Sequence, residues 1–143
     1  MFPTDCKIMI VDDSTFARTM LKTSLKELRY WKILEAKDVK EAQQLFAEDE
    51  QQKDSVQLLI SDLHMPNNSG LDLLRWLRAQ EKLKTLPVII LTSSQEKTEI
   101  LEAGKLGVSH YMIKPFDGAT LKEKMSSTWQ KHGQNFFAHT RRA

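Results

Sequence analysis

The chain has 143 residues, of which 41% are hydrophobic and 28% are charged, values typical of one folded domain with a single core. The net charge is only +2, and this balance gives no support to nucleic-acid binding, so no DNA partner is predicted. The single cysteine excludes an internal disulfide and favours a reducing, cytoplasmic setting. No apolar run approaches the roughly 18 residues that cross a bilayer, and the start lacks a signal-peptide pattern, so no membrane insertion is predicted.

Five short apolar runs predict five strands. They cover residues 7–11, 32–36, 56–60, 87–91 and 110–114. The first, third and fourth runs are almost continuous in Ile, Val, Leu and Met, which is typical of parallel strands covered on both faces. The second run alternates more, which predicts a position nearer the edge of the sheet.

Helical patterns separate these runs. Ser14, Asp38 and Ser69 are the expected N-caps of the first three helices, and the last two helices are predicted over 95–106, ended by Gly107, and over 117–131. In the first helix the inward stripe is expected to comprise Phe16, Met20, Leu21, Leu25 and Leu28. Strict alternation of strand and helix predicts an α/β fold, with a parallel sheet between two layers of helices and right-handed crossovers.

Chemically active side chains follow four of the predicted strands. The strand ends are Asp12-Asp13, Asp62, Thr92 and Lys114. Each residue alone has a plain structural interpretation, since an Asp after a strand is usually a turn or cap residue. Because the carboxyl ends of parallel strands lie at one edge, we expect all of them to converge there, where such sheets bind ligands.

The converging residue types point to phosphoryl chemistry. Three carboxylates repel one another, and Mg²⁺ is a hard divalent cation that prefers oxygen ligands and works with phosphate groups. Lys114 is suited to meet a phosphoryl oxygen as a point charge, and Thr92 to donate to another. A carboxylate also acts as a nucleophile. The sequence therefore predicts phosphoryl transfer to an aspartate, assisted by a metal and a lysine.

Four segments resemble the receiver domain of two-component response regulators. They are "IVDDS" (10–14), "ISDLHMPNNSG" (60–70), "LTS" (91–93) and "HYMIKPF" (110–116). The likeness runs from about residue 5 to residue 131 and is strongest to single-domain receivers of the chemotaxis type. It implies a flavodoxin-like (βα)5 sandwich with strand order 2-1-3-4-5. A receiver domain is thus expected over 5–131, followed by a short tail over 132–143 with no output domain.

The resemblance also implies roles at the strand ends. Asp62 would accept a phosphoryl group from a sensor histidine kinase or a histidine phosphotransfer protein. Asp12, Asp13 and Asp62, with the backbone carbonyl of His64, would bind Mg²⁺. Lys114 would pair with Asp62 and then with the phosphoryl group.

A conformational switch follows from the same resemblance. Thr92 would move to bond the phosphoryl oxygen and Tyr111 would swing inward, while the Lys114–Pro115 peptide is expected to be cis. The downstream partner would dock on the face formed by the fourth helix, fifth strand and fifth helix. The candidate residues of that face are Ile100, Ala103, Lys105, Tyr111, Lys122 and Lys124.

Three alternatives remain open from sequence. A phosphorelay intermediate would pass its phosphoryl group to a histidine phosphotransfer protein. A haloacid-dehalogenase-like phosphatase is disfavoured, because such enzymes require a second acid two residues after the nucleophile, where this chain has His64. A scaffold receiver that works without phosphate is disfavoured by the complete set of site residues. The protein is therefore interpreted as a signalling protein and not an enzyme, limited to self-phosphorylation and slow self-dephosphorylation.

Several features have mainly structural interpretations. His64 is expected to be a rim residue, with interaction with the phosphoryl water or a transition metal as the alternative. Residues 48–55 are interpreted as a solvated helix extension and loop. The tail at 132–143 is interpreted as a frayed end or linker remnant, or else as a docking or dimer-forming extension of the last helix. Trp31 and Trp129 are expected to pack at element margins. For Trp76, on the helix flank away from Leu73 and Leu77, packing is favoured over exposure.

Overall fold

The structure is a computed structural model that describes residues 1–52, 54–93 and 96–140. Five strands alternate with helices. The elements are β1 (Lys7–Val11), α1 (Thr15–Glu27), β2 (Lys32–Ala36), α2 (Val39–Asp49), β3 (Val56–Asp62), α3 (Gly70–Arg78), β4 (Val88–Thr92), α4 (Lys97–Lys105), β5 (His110–Ile113), α5 (Gly118–Thr128), a π-helical turn (Trp129–Gly133) and α6 (Gln134–Thr140). Within the described ranges, no helix has the length and apolar character needed to cross a membrane.

The strands form one parallel sheet in the order β2-β1-β3-β4-β5. This confirms the predicted fold class, and the partly exposed β2 lies at the edge as expected. Successive side chains of a strand point to opposite faces, so Leu59 joins one buried cluster while Leu58 and Ile60 join the other. Ser14, Asp38 and Ser69 cap their helices through their side chains, also as predicted.

The predicted inward stripe of α1 is partly wrong. Phe16 and Met20 are 75% and 53% exposed, whereas Leu21 and Leu25 are buried. The apolar residues of this helix form two rows about 140° apart around the axis, since an α-helix turns once every 3.6 residues. Only the row of Leu21 and Leu25 faces the sheet, and the row of Phe16 and Met20 faces outward.

The three tryptophans do not share one environment. Trp76 packs against Phe46 with ring centroids 6.1 Å apart, as the packing interpretation requires. Trp129 is half-buried beside Phe2, 5.2 Å between centroids. Trp31 is 64% exposed, so its predicted packing is wrong, because it lies in the connection between α1 and the edge strand.

Residues 48–55 are more firmly attached than the sequence suggested; residue 53 lies outside the described ranges. Asp49 is buried and accepts hydrogen bonds from Lys7 Nζ at 2.7 Å and from the backbone N–H of Val56 at 2.7 Å. Lys7 also donates to the carbonyl of Asp54 at 2.7 Å. The predicted solvated segment is thus tied to Lys7 of β1 by a partly buried charge pair, which fixes the link between α2 and β3.

The tail is helical and docked as far as residue 140. Phe136 of α6 is buried in the core, and Phe137 meets Trp129 edge to face at 5.7 Å between centroids. His132 Nδ1 lies 2.8 Å from the buried Ser109 Oγ. The described tail therefore extends the last helix instead of fraying. Arg141 and Arg142 lie outside the described residues.

Candidate functional site

Four predicted site residues converge at the carboxyl end of the sheet. Asp62 and Thr92 are the last residues of β3 and β4, while Asp12 directly follows β1 and Lys114 directly follows β5. The central strands β1 and β3 are neighbours, so the topology brings Asp12 next to Asp62. Asp12 is 3% exposed and Asp62 is 9% exposed.

Lys114 joins the two acids although it is about a hundred residues from Asp12. Its Nζ donates to Asp12 Oδ2 at 2.8 Å and lies 3.3 Å from Asp62 Oδ1. The following peptide, Lys114–Pro115, is cis, as the resemblance implied. Because Lys114 Nζ touches both carboxylates, any group added to Asp62 Oδ1 would meet this ammonium at once.

The ionisation of Asp62 and Lys114 reflects this crowding. Burial raises the pKa of the Asp62 carboxyl, the negative charge of Asp12 raises it further, and Lys114 opposes both effects. Burial alone would lower the pKa of the Lys114 ammonium, but its hydrogen bond to Asp12 and the charges of both acids outweigh burial and raise that pKa. The site therefore keeps its lysine charged, while ionising Asp62 has a free-energy cost.

Asp12, Asp13 and Asp62 form an acidic cluster. One carboxylate oxygen from each lies within 4.8 Å of the others, and Asp13 is the exposed member. Three carboxylates stand against the single ammonium of Lys114, and a divalent cation would balance the excess negative charge. Hard carboxylate oxygens are the ligands that Mg²⁺ prefers, so the donor set fits the predicted metal. The carbonyl of His64 stays a predicted ligand.

Backbone groups and one missed side chain hold Asp12 in place. The N–H of Ser14 donates to Asp12 Oδ1 at 2.9 Å. Arg18 Nη1 donates to the carbonyl of Asp12 at 2.6 Å, and Arg18 Nε also reaches Glu35 at 3.3 Å. Sequence reasoning missed Arg18, although its place one turn after Ser14 on a helix that begins at the site was a usable signal.

Gly70 allows α3 to begin directly against the end of β3. A Cβ at this position would lie 2.4 Å from the carbonyl oxygen of Asp62, closer than atoms can approach. Its N–H donates to the carbonyl of Leu63 at 2.8 Å, and the N–H of Leu63 donates to Asp62 Oδ1 at 3.0 Å. The glycine thereby closes the loop that orients the Asp62 carboxylate.

The predicted switch residues occupy different environments. Thr92 is buried and Tyr111 is 40% exposed on β5. The carbonyl of Thr92 accepts from the N–H of Lys114 at 2.8 Å, which ties the end of β4 to the lysine.

One candidate of the predicted docking face is wrongly placed. Ala103 is buried in the core between α4 and the sheet, because α4 turns this side inward. Tyr111, Lys105 and Lys122 are exposed, and Ile100 and Lys124 are half-buried. The face formed by α4, β5 and α5 thus keeps five of its six candidates.

Comparisons with known proteins agree with this geometry. The family model described as the response regulator receiver domain matches residues 8–126. The chain is 37% identical over 125 residues to chemotaxis protein CheY-3 of Vibrio cholerae, covering 87% of this chain and 92% of that protein. It is 38% identical over 119 residues to a chemotaxis protein CheY homolog of Campylobacter jejuni, covering 83% and 88%.

The chain belongs to the response regulator receiver family. Among solved structures, CheY4 of Vibrio cholerae superposes with a TM-score of 0.76 at 27% identity, covering 87% of this chain and 98% of that one. The protein is accordingly a receiver domain of the chemotaxis CheY type, a class of signalling proteins and not classical enzymes. Receivers of this family bind Mg²⁺ at an acidic pocket and interact with histidine kinases and downstream targets.

Proposed function

We propose that this receiver accepts a phosphoryl group on Asp62 from the phosphohistidine of a sensor kinase or of a histidine phosphotransfer protein. The observation that carries the proposal is the contact of one lysine with two buried carboxylates, at 2.8 Å from Asp12 and 3.3 Å from Asp62. A solitary structural aspartate at a strand end does not require a charged lysine from a distant strand. An acceptor of phosphoryl groups does, because the transferred group brings further negative charge.

The proposed transfer is a direct displacement. A carboxylate oxygen of Asp62 attacks phosphorus, a P–O bond forms, and the P–N bond to the donor imidazole breaks with its electron pair leaving on nitrogen. Lys114 pairs with the oxygens of the transferred group, and Thr92 donates its hydroxyl to one of them. Asp12, Asp13, Asp62 and the carbonyl of His64 would hold Mg²⁺, which when bound neutralises charge on the phosphoryl oxygens.

The output is proposed to use the face formed by α4, β5 and α5. Phosphorylation would draw Thr92 toward the new group and let the exposed Tyr111 turn inward, shifting a pre-existing equilibrium between two conformations. A groove of about 610 Å³ on this face is lined by Tyr111, Phe116, Lys124 and neighbouring residues, which supports docking of a protein target there. In this proposal, domain 5–131 is the receiver and the tail at 132–143 is an extension of it.

Self-phosphorylation and slow self-dephosphorylation are proposed as its only reactions. A cytoplasmic location is part of the proposal and rests on the single buried Cys6. Passing the phosphoryl group on to a histidine phosphotransfer protein remains the alternative output, and the identity of the target decides between them.

The proposal is tested with a small phosphoryl donor, acetyl phosphate, in the presence of Mg²⁺. We expect one phosphoryl group per chain by intact mass in the wild-type protein and in the surface control Glu48→Gln. Asp62→Asn should take up none, and chelation of Mg²⁺ should suppress uptake in the wild type. Equal uptake by Asp62→Asn would overturn the assignment.

A further inference from the structure

A side-chain contact links the acceptor loop directly to the first turn of α4. His64 lies two residues after Asp62, and its Nε2 is 3.3 Å from Oε1 of Glu99. Glu99 is in the first turn of α4, one of the elements of the proposed output face. The contact therefore joins the loop that follows the acceptor residue to a helix that is expected to respond to it.

The two side chains of this contact differ in their solvent exposure. The His64 side chain is 56% exposed, whereas that of Glu99 is 19% exposed. Oε1 of Glu99 has almost no exposed surface, and no described residue gives it a hydrogen bond of regular geometry. A buried carboxylate oxygen without a donor is destabilising. Among the described residues, His64 Nε2 is thus the group that lies against this oxygen, and its exposed ring has room to turn toward another acceptor.

The buried residue and the other side-chain ion pair described for α4 lie in its C-terminal half. Ala103 is the only residue that α4 buries fully among those described, and the N-cap Glu96 makes no capping hydrogen bond through its side chain. An ion pair joins Glu102 of α4 to Arg75 of α3, and both side chains are more than 40% exposed. The contact of Glu99 with His64 lies in the first turn itself, and because His64 is 56% exposed its contribution to fixing that turn is expected to be modest.

We propose that His64 is a shared donor: its Nε2–H holds Glu99 in the resting protein and turns to the phosphoryl group once Asp62 carries one, which releases the first turn of α4. The inference rests on the proposed function of Asp62. A phosphoryl group carries more negative charge than one carboxylate. On Asp62 it would stand two residues from His64 in the sequence. Because His64 binds different acceptors in the two states, it contributes the differential free energy that a conformational switch requires. This route to α4 is separate from Thr92 and Tyr111.

The first part of the test uses the resting protein and amide hydrogen exchange across residues 97–105. His64→Ala and Glu99→Ala should each speed exchange about two- to fivefold, the scale of one partly exposed polar contact. Alanine has the higher helix propensity, so faster exchange in Glu99→Ala reports a lost contact. The double variant should exchange no faster than either single variant. Glu102→Ala is the matched control, and its effect should add to that of His64→Ala. Additive effects of His64→Ala and Glu99→Ala would overturn the tether.

The second part repeats the measurement after treatment with acetyl phosphate and Mg²⁺. Wild-type α4 should exchange faster once Asp62 is phosphorylated, while Glu99→Ala should reach the same yield of phosphorylation with little further change in α4. If Asp62 is phosphorylated but wild-type α4 keeps its resting exchange, the shared-donor switch is wrong and the proposed function stands. If Asp62 takes up no phosphoryl group, the proposed function and the switch both fail, and the first part alone decides the tether.

Discussion

The Asp62 carboxylate occupies an electrostatically unfavourable position. It is nearly buried, it lies beside the Asp12 carboxylate, and Lys114 compensates it only in part, so its pKa is raised. A folded state with a raised carboxyl pKa holds its proton more tightly than the unfolded chain does. Stability therefore decreases as pH rises from the ordinary carboxyl pKa of 3.8 through the raised value, and the full penalty is present at neutral pH.

Replacing Asp62 by Asn should accordingly stabilise the metal-free protein at neutral pH. We expect the free energy of unfolding in urea to rise by about 1 kcal/mol, the scale of an ordinary point substitution, because the repulsion by Asp12 and the burial of charge disappear. The gain should vanish as pH falls below 3.8, where Asp62 is protonated in both states. Glu48→Gln, on the exposed face of α2, should change nothing. A destabilised Asp62→Asn at neutral pH would contradict this reading of the site.

The sequence alone was sufficient to predict that Asp12, Asp62, Thr92 and Lys114 lie together at one edge of the sheet. Each stands at the end of an apolar strand, and the carboxyl ends of parallel strands meet at the same edge. The same reasoning missed Glu99. No local pattern marks a carboxylate in the first turn of a helix as the partner of a histidine thirty-five positions earlier, since that pairing depends on how two loops are placed in three dimensions.

At the scale of elements, the strands were predictable and the tail was not. Short apolar runs in the sequence predict the strands, and β1 and β2 have the predicted bounds. The segment 132–140 has a weak stripe and a glycine, which favours fraying when read alone. Its helical state depends on Phe136 entering the core and on the approach of Gly133 to Phe2, where an added Cβ would lie 2.7 Å from the ring.

Truncating Phe136 tests how firmly α6 is docked. Phe136→Ala should lower the free energy of unfolding by about 3 kcal/mol, the typical loss for a buried aromatic ring. Asn135→Ala changes an exposed neighbour on the same helix and should have little effect. Urea denaturation of both variants decides the matter, and equal stability of the two would show that α6 contributes nothing to the core.

Two histidines should make the docking of α5 and α6 sensitive to acid. His110 Nε2 lies 2.7 Å from Ser127 Oγ, and His132 Nδ1 lies 2.8 Å from Ser109 Oγ. Burial lowers the pKa of both rings, and nearby cations add to this: Lys124 and Lys131 for His110, and Lys131 and Arg78 for His132. Because these folded-state pKa values lie below the ordinary value of 6.5, stability is complete above it and is lost as pH falls through the lowered values.

The expected result is a loss of stability in the wild type as pH falls below about 6.5, the ordinary pKa of histidine. The double variant His110→Gln/His132→Gln should lose less over the same range, because its side chains stay neutral. His139→Gln, an exposed histidine of α6, should follow the wild type. Parallel pH profiles of the double variant and the wild type would refute the role of these two rings.

At the scale of the whole molecule, the sheet assembles a charged site from segments that are far apart in the chain. The core lies on both faces of the sheet, and the polar residues accumulate at one end of it. This arrangement brings the carboxylates of Asp12, Asp13 and Asp62 together at one end of the sheet. Their mutual repulsion lowers the stability of the folded state, so a bound divalent cation should raise it.

Mg²⁺ should therefore stabilise the folded protein. At a hundredfold excess over its dissociation constant, a ligand of the native state adds about 2.7 kcal/mol to the free energy of unfolding. Asp13→Asn should weaken this effect, since it removes one of the three carboxylates of the cluster, the exposed one. Urea midpoints with Mg²⁺, and with Na⁺ at equal ionic strength, measure the gain. Identical midpoints would contradict a metal site here.

The most direct measurement locates the phosphoryl group chemically. An acyl phosphate on an aspartate is reduced by borohydride to homoserine, so protein treated with acetyl phosphate and Mg²⁺ is reduced, digested and sequenced by mass spectrometry. The account predicts homoserine at position 62, and aspartate retained at positions 12 and 13. Homoserine at either of those positions, or unmodified aspartate at all three in protein that has taken up phosphate, would contradict the claim that Asp62 is the acceptor.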